Sequence, residues 1–141
     1  MNQDQALSDK IDDLCEEGDA LASEEEFQEA LGRYREAWDL LPEPKDQWDA
    51  ATWILAAIGD THFFLKEHQS ALSAMTRALR CPGGAGNPFV HLRLGQCHLE
   101  TGNLEGAKAE LTKAFEEGGE EIFEDEDPKY VALLRSSFKR P

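Results

Sequence analysis

The side chains best suited to chemistry in this chain are four histidines, three cysteines and a large excess of carboxylates. His62 and His98 stand out, because the segments around them are alike and Cys97 precedes the second. On stacked helices two such imidazoles would lie close together, the beginning of a metal shell or an acid-base pair. A zinc site needs further ligands at set spacing, and no Cys-x-x-Cys pair or additional histidine stands where it would complete one. His68 and His91 read as ordinary surface or interface residues. The run Cys81, Pro82, Gly83, Gly84, Ala85, Gly86, Asn87, Pro88 has the glycine content of a phosphate-cradling loop. It lacks the preceding strand and the Lys-Ser or Lys-Thr step that such loops use, and reads as a break between two helices. Among the carboxylates, spacing singles out no pair for general acid and base work. The sequence therefore predicts no catalytic residue, no metal site and no cofactor, and a chain that is not an enzyme.

Size and charge narrow the classes further. A chain of 141 residues, 40% of them hydrophobic, is enough for one continuous core. No apolar run approaches the roughly 18 residues that span a bilayer, and the first residues lack the basic-then-apolar order of a signal peptide. The expected address is cytoplasmic, where Cys15, Cys81 and Cys97 would remain free thiols. A formal net charge of -15 repels nucleic-acid phosphates and anionic lipids, so neither nucleic acid nor membrane is an expected partner. The acids are concentrated at the two ends: Asp12 to Glu29 and Glu116 to Asp127 each contain no base at all. One such run reads as a solvated helix face, whereas two on one scaffold favour a basic partner.

The elements that would position any of these residues announce themselves by internal repetition. Gly18, Ala30 and Ala37 recur as Gly59, Ala71 and Ala78, and again as Gly95, Ala107 and Ala114, with identical spacing inside each triplet. The flanks repeat as well: Leu14, Leu21, Phe27 and Tyr34 in the first copy, Leu55, Ile58, His62 and Met75 in the second, Leu94, His98, Leu104 and Leu111 in the third. Large residues at i, i+3 and i+4 around small ones describe amphipathic helices in pairs. The glycine of the first helix and the alanine of the second let the backbones approach, and the second alanine lets the next pair stack.

This pattern resembles the tetratricopeptide repeat family, whose unit is two antiparallel helices. The resemblance covers most of the chain and implies an all-α, right-handed superhelix of three helical hairpins with a C-terminal capping helix. The repeats are placed at about 11–44, 46–85 and 88–121 and the capping helix at about 128–139, within one domain over 1–141. Successive glycines lie 41 and 36 residues apart, both more than the family's 34. The additional residues are assigned to Pro42–Trp48, with Asp46 as N-cap of a lengthened helix reaching Phe64, and to the loop at 81–88. Asp127 before Pro128 marks the start of the last helix, whose Tyr130, Leu133, Leu134 and Phe138 form one apolar stripe. The family commonly has an aromatic residue at the places of His62 and His98, so packed imidazoles are the expectation there.

The resemblance also implies that the first helix of each hairpin lines a concave groove that binds peptides or loops of other proteins. Projected onto this chain, the groove presents Asp12, Cys15, Asp19 and Ser23, then Trp53, Ala56, Asp60 and Phe64, then Phe89, Leu92, Arg93, Gln96 and Glu100. Asp12, Asp19, Trp53, Asp60, Phe64, Phe89, Arg93 and Gln96 are the candidate contact residues, of which Trp53, Phe64 and Phe89 read equally well as core. One subclass of the family grips a C-terminal carboxylate with Lys, Arg and Asn, but Asp12, Cys15 and Asp19 stand where such groups would be. A basic loop or peptide fits better, steered by the acids and anchored by the aromatics. Three readings stay open on sequence alone. The chain resembles small stand-alone bacterial tetratricopeptide proteins, some of which accompany toxin genes, which implies an immunity protein covering a basic toxin face. It is also similar in size, acidity and repeat number to secretion chaperones that hold an extended segment. A general adaptor is the third. The oligomeric state is not legible.

Overall fold

The structure, a computed structural model, describes residues 2–138. Seven α-helices account for most of them: α1 Asn2–Ser23, α2 Phe27–Leu40, α3 Asp49–Phe64, α4 His68–Leu79, α5 Pro88–Glu100, α6 Leu104–Gly118 and α7 Pro128–Phe138. There is no strand among the described residues. Helices α1 and α2, α3 and α4, and α5 and α6 pair as hairpins stacked in a right-handed superhelix, with α7 closing the end against α6. Helix α1 begins well before residue 11, where the sequence repeat starts. The expected end of the capping helix at residue 139 lies outside the described residues.

The glycine and alanine ladder is the seam inside each hairpin. Ala30, Ala71 and Ala107, and likewise Ala37, Ala78 and Ala114, are fully buried. A Cβ built at Gly18 would lie 2.5 Å from the Tyr34 ring, at Gly59 2.8 Å from Met75 Cε, and at Gly95 2.6 Å from Leu111 Cγ. These three large residues occupy one equivalent place, four residues after the first alanine of each triplet. The seam therefore has one geometry with three fillings, and dispersion contacts across it depend on the missing methyl group.

The turns within hairpins are equally uniform. Seven residues beyond each ladder glycine the backbone turns left-handed, at Glu25 (φ 61°), Lys66 (φ 64°) and Gly102 (φ 90°). The left-handed conformation costs an L residue about 1–2 kcal/mol, so the first two turns are strained where the third is not. The residue after each turn donates its N–H back to the first helix, Glu26 to Leu21, Glu67 to His62 and Asn103 to His98. His62 and His98 serve this same corner: His62 Nδ1 lies 2.7 Å from Glu67, and His98 Nδ1 lies 3.3 Å from the Asn103 amide. Each imidazole is thus used within its own hairpin.

The two insertions have different structures. Asp46 does not cap a helix: Lys45–Gln47 form a short 3-10 turn, α3 starts at Asp49, and Asp46 accepts from Arg77 Nε at 2.8 Å. Lys45 instead satisfies the open end of α2, donating to the carbonyls of Trp38 and Leu41. Trp48 sits before α3 and donates its indole N–H to the Pro42 carbonyl. The glycine-rich loop is a packed corner. Thr52 donates to the Pro82 carbonyl, and a Cβ at Gly84 would collide with the Ala78 carbonyl. His91 is buried, not a surface residue, and its ring nitrogens face Glu110 at 2.6 Å and the Ala85 carbonyl at 2.7 Å. It ties the loop to α6. Asn87 caps α5 by accepting from Phe89 and Val90, with Pro88 at the first helical position.

Helix α7 is fixed by one polar hook. Glu100 at the end of α5 accepts from Tyr130 Oη at 2.6 Å and pairs with Lys129 at 2.7 Å. Asp127 caps the helix by accepting from Lys129 N, and Tyr130 and Leu134 are buried beside Leu111 and Phe123. Hydrogen bonds from Lys129 and then Tyr130 hold the Glu100 carboxyl below the usual glutamate range.

Three predictions follow from this packing. Gly95→Ala should destabilise by about 1–3 kcal/mol, because Leu111 and its backbone crowd the new methyl group. Gly59→Ala should cost much less, since a flexible methionine can yield. Chemical denaturation of the two variants measures the difference. Lys66→Gly should gain up to about 1 kcal/mol by relieving the left-handed turn, read by the same titration. A carboxyl with a depressed folded pKa stabilises above its unfolded value and ceases to do so as pH falls through the folded one. Acidification below the ordinary glutamate range should therefore loosen α7, and Glu100→Gln should flatten that dependence, as seen by hydrogen exchange of the 128–138 amides.

Candidate protein-interaction groove

The first helices of the hairpins, α1, α3 and α5, flank a series of open clefts. Between the start of α1 and the start of α3 lies a small apolar cleft lined by Leu7, Ile11, Asp12, Trp48 and Ala50. Between α3 and α5, next to the glycine-rich loop, an open cleft of about 400 Å³ is walled by Trp53 and Phe89. Where α1 meets the end of α3, a third cleft of about 210 Å³ brings together Asp19, Tyr34, Asp60 and Phe64. Acids and aromatics thus meet in the first and third of these clefts, and aromatics without acids wall the second.

The three aromatic candidates are all solvent-facing. Trp53 is 65% exposed, Phe89 63% and Phe64 52%. Phe64 ends α3 and Phe89 lies in the first turn of α5, and three large apolar side chains this open near neighbouring helices form the kind of exposed surface that partners cover. Phe64 stacks on Phe27 of α2 with ring centroids 5.6 Å apart, which holds its ring upright at the cleft mouth. Asp12 is exposed at the side of α1. Asp19 is exposed too, but accepts a 2.6 Å hydrogen bond from Tyr34 Oη across the first hairpin. Burial, helped by that bond to Asp19, pushes the Tyr34 phenol well above its ordinary range. Cys15, on the same helix, has its thiol pushed up to about 11 by desolvation and then by Asp19 and Asp12, and the buried Cys97 thiol is pushed up to about 12. Neither is an activated nucleophile.

Arg93 and Gln96 stand differently from the residues around them. The structure places them under the surface, with Arg93 8% exposed and Gln96 0%. Arg93 Nε donates to Asp60 at 2.8 Å, one Nη donates to Gln96 Oε1 at 2.6 Å, and the same nitrogen reaches Glu126 at 3.1 Å. Its guanidinium lies 4.5 Å from the Phe63 ring centre and 5.2 Å from that of Phe64. Gln96 Nε2 completes the set by donating to Glu126 at 2.7 Å. Burial alone would lower the basicity of Arg93. Asp60 and Glu126 more than offset it, and the net shift is upward. Both residues are thus engaged within the fold. Of the wider stripe, Leu92 belongs to the core and Glu100 to the α7 hook.

Glu126 is the residue that sequence reasoning missed. It lies in the second acidic run, 33 residues from Arg93, where one carboxylate among eight carries no distinguishing spacing. Lys129 and Tyr130 were legible only as parts of a capping helix, and their common acceptor, Glu100, only as a groove residue. No group of three or more metal-ligating side chains occurs among the described residues. No helix among them is long and apolar enough to cross a membrane.

Comparison with known proteins agrees with this architecture. Residues 90–117, covering most of α5 and α6, match the family model for the tetratricopeptide repeat. No curated protein matches the chain significantly. Among solved structures, the chain is similar to the first TPR of Spaghetti (RPAP3) bound to an HSP90 peptide, at 20% identity and TM-score 0.70, covering 92% of this chain and 90% of that one. It is similar to the Yersinia enterocolitica type III secretion chaperone SycD in complex with a peptide of the translocator YopD, at 14% identity and TM-score 0.72, covering 91% and 92%. PcrH from Pseudomonas aeruginosa gives 17% identity and TM-score 0.71, covering 93% of both chains. At such identities the likeness concerns the fold. The chain thus has the fold of tetratricopeptide-repeat domains, and its third hairpin matches that family's model in sequence.

Proposed function

We propose that this chain is a non-catalytic interaction module that holds an extended, basic segment of a partner protein along the surface made by α1, α3 and α5. The observation that carries this reading is the pair Trp53 and Phe89, exposed on two rigid neighbouring helices and facing one cleft. Aromatics of this kind bury some 150–250 Å² each when covered, enough to dominate an interface. On the preceding first helix, α1, stand Asp12 and Asp19 with no basic side chain between them. Acids so placed favour a lysine or arginine on the partner and speed its approach, while the aromatics supply the affinity. Two of the similar structures hold peptides, one of HSP90 and one of a translocator, which supports an extended occupant.

A second reading is favoured by the net charge of -15, namely an immunity protein that covers the basic face of a folded toxin. The two differ in what binds. A holder of extended segments takes up a short peptide as well as the intact partner, whereas a toxin-neutralising face needs the folded surface.

Isothermal titration with partner recovered from the source cells, and with overlapping peptides of it, tests both. Trp53→Ala and Phe89→Ala should each weaken binding about tenfold or more, with melting temperature nearly unchanged because neither ring is part of the core. Asp12→Lys should weaken binding and its salt dependence together. Full affinity in all three variants would place the partner on another face.

A further inference from the structure

Two buried donors of α5 hold a carboxylate of the chain itself. Arg93 Nη1 and Gln96 Nε2 converge on one oxygen, Oε1 of Glu126, at 3.1 and 2.7 Å. The two donors stand three residues apart on α5, one turn of a helix whose position is fixed by the Gly95 seam between them. Gln96 is oriented by Arg93, which donates to its Oε1, and Arg93 by Asp60 and the Phe63 and Phe64 rings. Both donor side chains are more than nine-tenths buried. A positive guanidinium and an amide N–H, desolvated and held by other partners, form a preorganised cradle for a carboxylate. The acceptor comes from elsewhere, the irregular stretch between the 3-10 turn at Glu120–Phe123 and α7.

That stretch is tethered on both sides, by the buried Phe123 and by Tyr130 with its bond to Glu100. Glu126 itself adds no apolar packing there and keeps its side chain 21% exposed at the edge of the site. Short tethers give an intramolecular ligand an effective concentration on the order of millimolar, so a free carboxylate competes with it poorly.

We propose that Glu126 is an internal occupant that masks this carboxylate-binding cradle and so excludes acidic segments from the third hairpin's end of the groove. With Glu126 in place, Arg93 offers a partner no free charge, and the surface selects against anions. With Glu126 displaced, Arg93 and Gln96 would each lose an acceptor, and a carboxylate side chain from a partner would restore both. The inference goes beyond the function proposed above and does not depend on a basic segment binding at α1 and α3.

The test supplies the missing group from solution. Glu126→Ala removes the CH₂ and carboxylate beyond Cβ, and acetate is that fragment. Purified wild-type and variant chains are titrated with sodium acetate, with sodium chloride at matched ionic strength and acetamide as controls. The readouts are melting temperature and the NMR signals of the Gln96 side-chain amide and Arg93 Nε–H. The variant should respond saturably to acetate alone, with a half-saturating concentration at least tenfold below any response of the wild type. A folded variant whose signals ignore acetate, or respond to it no more than the wild type does, would overturn the proposal. Should Glu126→Ala fail to fold, Glu126→Gln keeps an acceptor for Gln96 while removing the charge beside Arg93. It should fold and show a smaller gain in acetate response. Unfolding of both variants would also overturn it, because a carboxylate the fold requires is a strut and not a removable occupant.

Discussion

The structure depends on how closely two helices can approach at Gly18, Gly59 and Gly95. Each glycine leaves space that a single large side chain of the opposite helix fills completely, and the buried alanines on either side admit the next layer. Because interiors are packed like crystals, such a contact fixes the relative height of the two helices to within a fraction of a turn. Repeating it three times gives the three hairpins one internal geometry, and the buried second alanines let them stack.

Where the small-residue seam ends, polar contacts take over. Helix α7 meets α5 through Glu100, Lys129 and Tyr130. The acidic stretch before it meets α5 through Glu126, Gln96 and Arg93. A terminal helix has only one neighbouring hairpin to cover, so its buried apolar area is smaller and each hydrogen bond carries a larger share of its docking. The linker at 42–48 follows the same logic, with Lys45 on the carbonyls of α2 and Asp46 on Arg77.

The fold was legible because it is periodic: three glycines in register mean little singly and much together. That period did not decide whether Trp53 and Phe89 are core or surface, and the structure leaves both exposed. What was hidden depends on pairings across thirty or so residues that no local pattern encodes. Asp46 has the composition and place of an N-cap, and only the arrival of Arg77 from α4 gives it another use. His91 looks like any surface histidine until Ala85 and Glu110 are seen on its two nitrogens. Glu126 is chemically identical to the other carboxylates of its run, and long-range packing alone decides which one meets Arg93.

These pairings change how the charge of the chain is read. Arg93, a basic residue of α5, sits between Asp60 and Glu126, so its field is cancelled at short range and scarcely reaches solvent. Of the exposed acids of α1, Glu17 meets Arg33 at 3.3 Å, but Asp12 has no basic partner among the described residues, and in high dielectric its field extends outward by about a Debye length. The first acidic run therefore acts on an approaching molecule, whereas part of the second is spent inside the fold. A sequence count weighs both runs equally, but the two differ in how much of their charge reaches solvent.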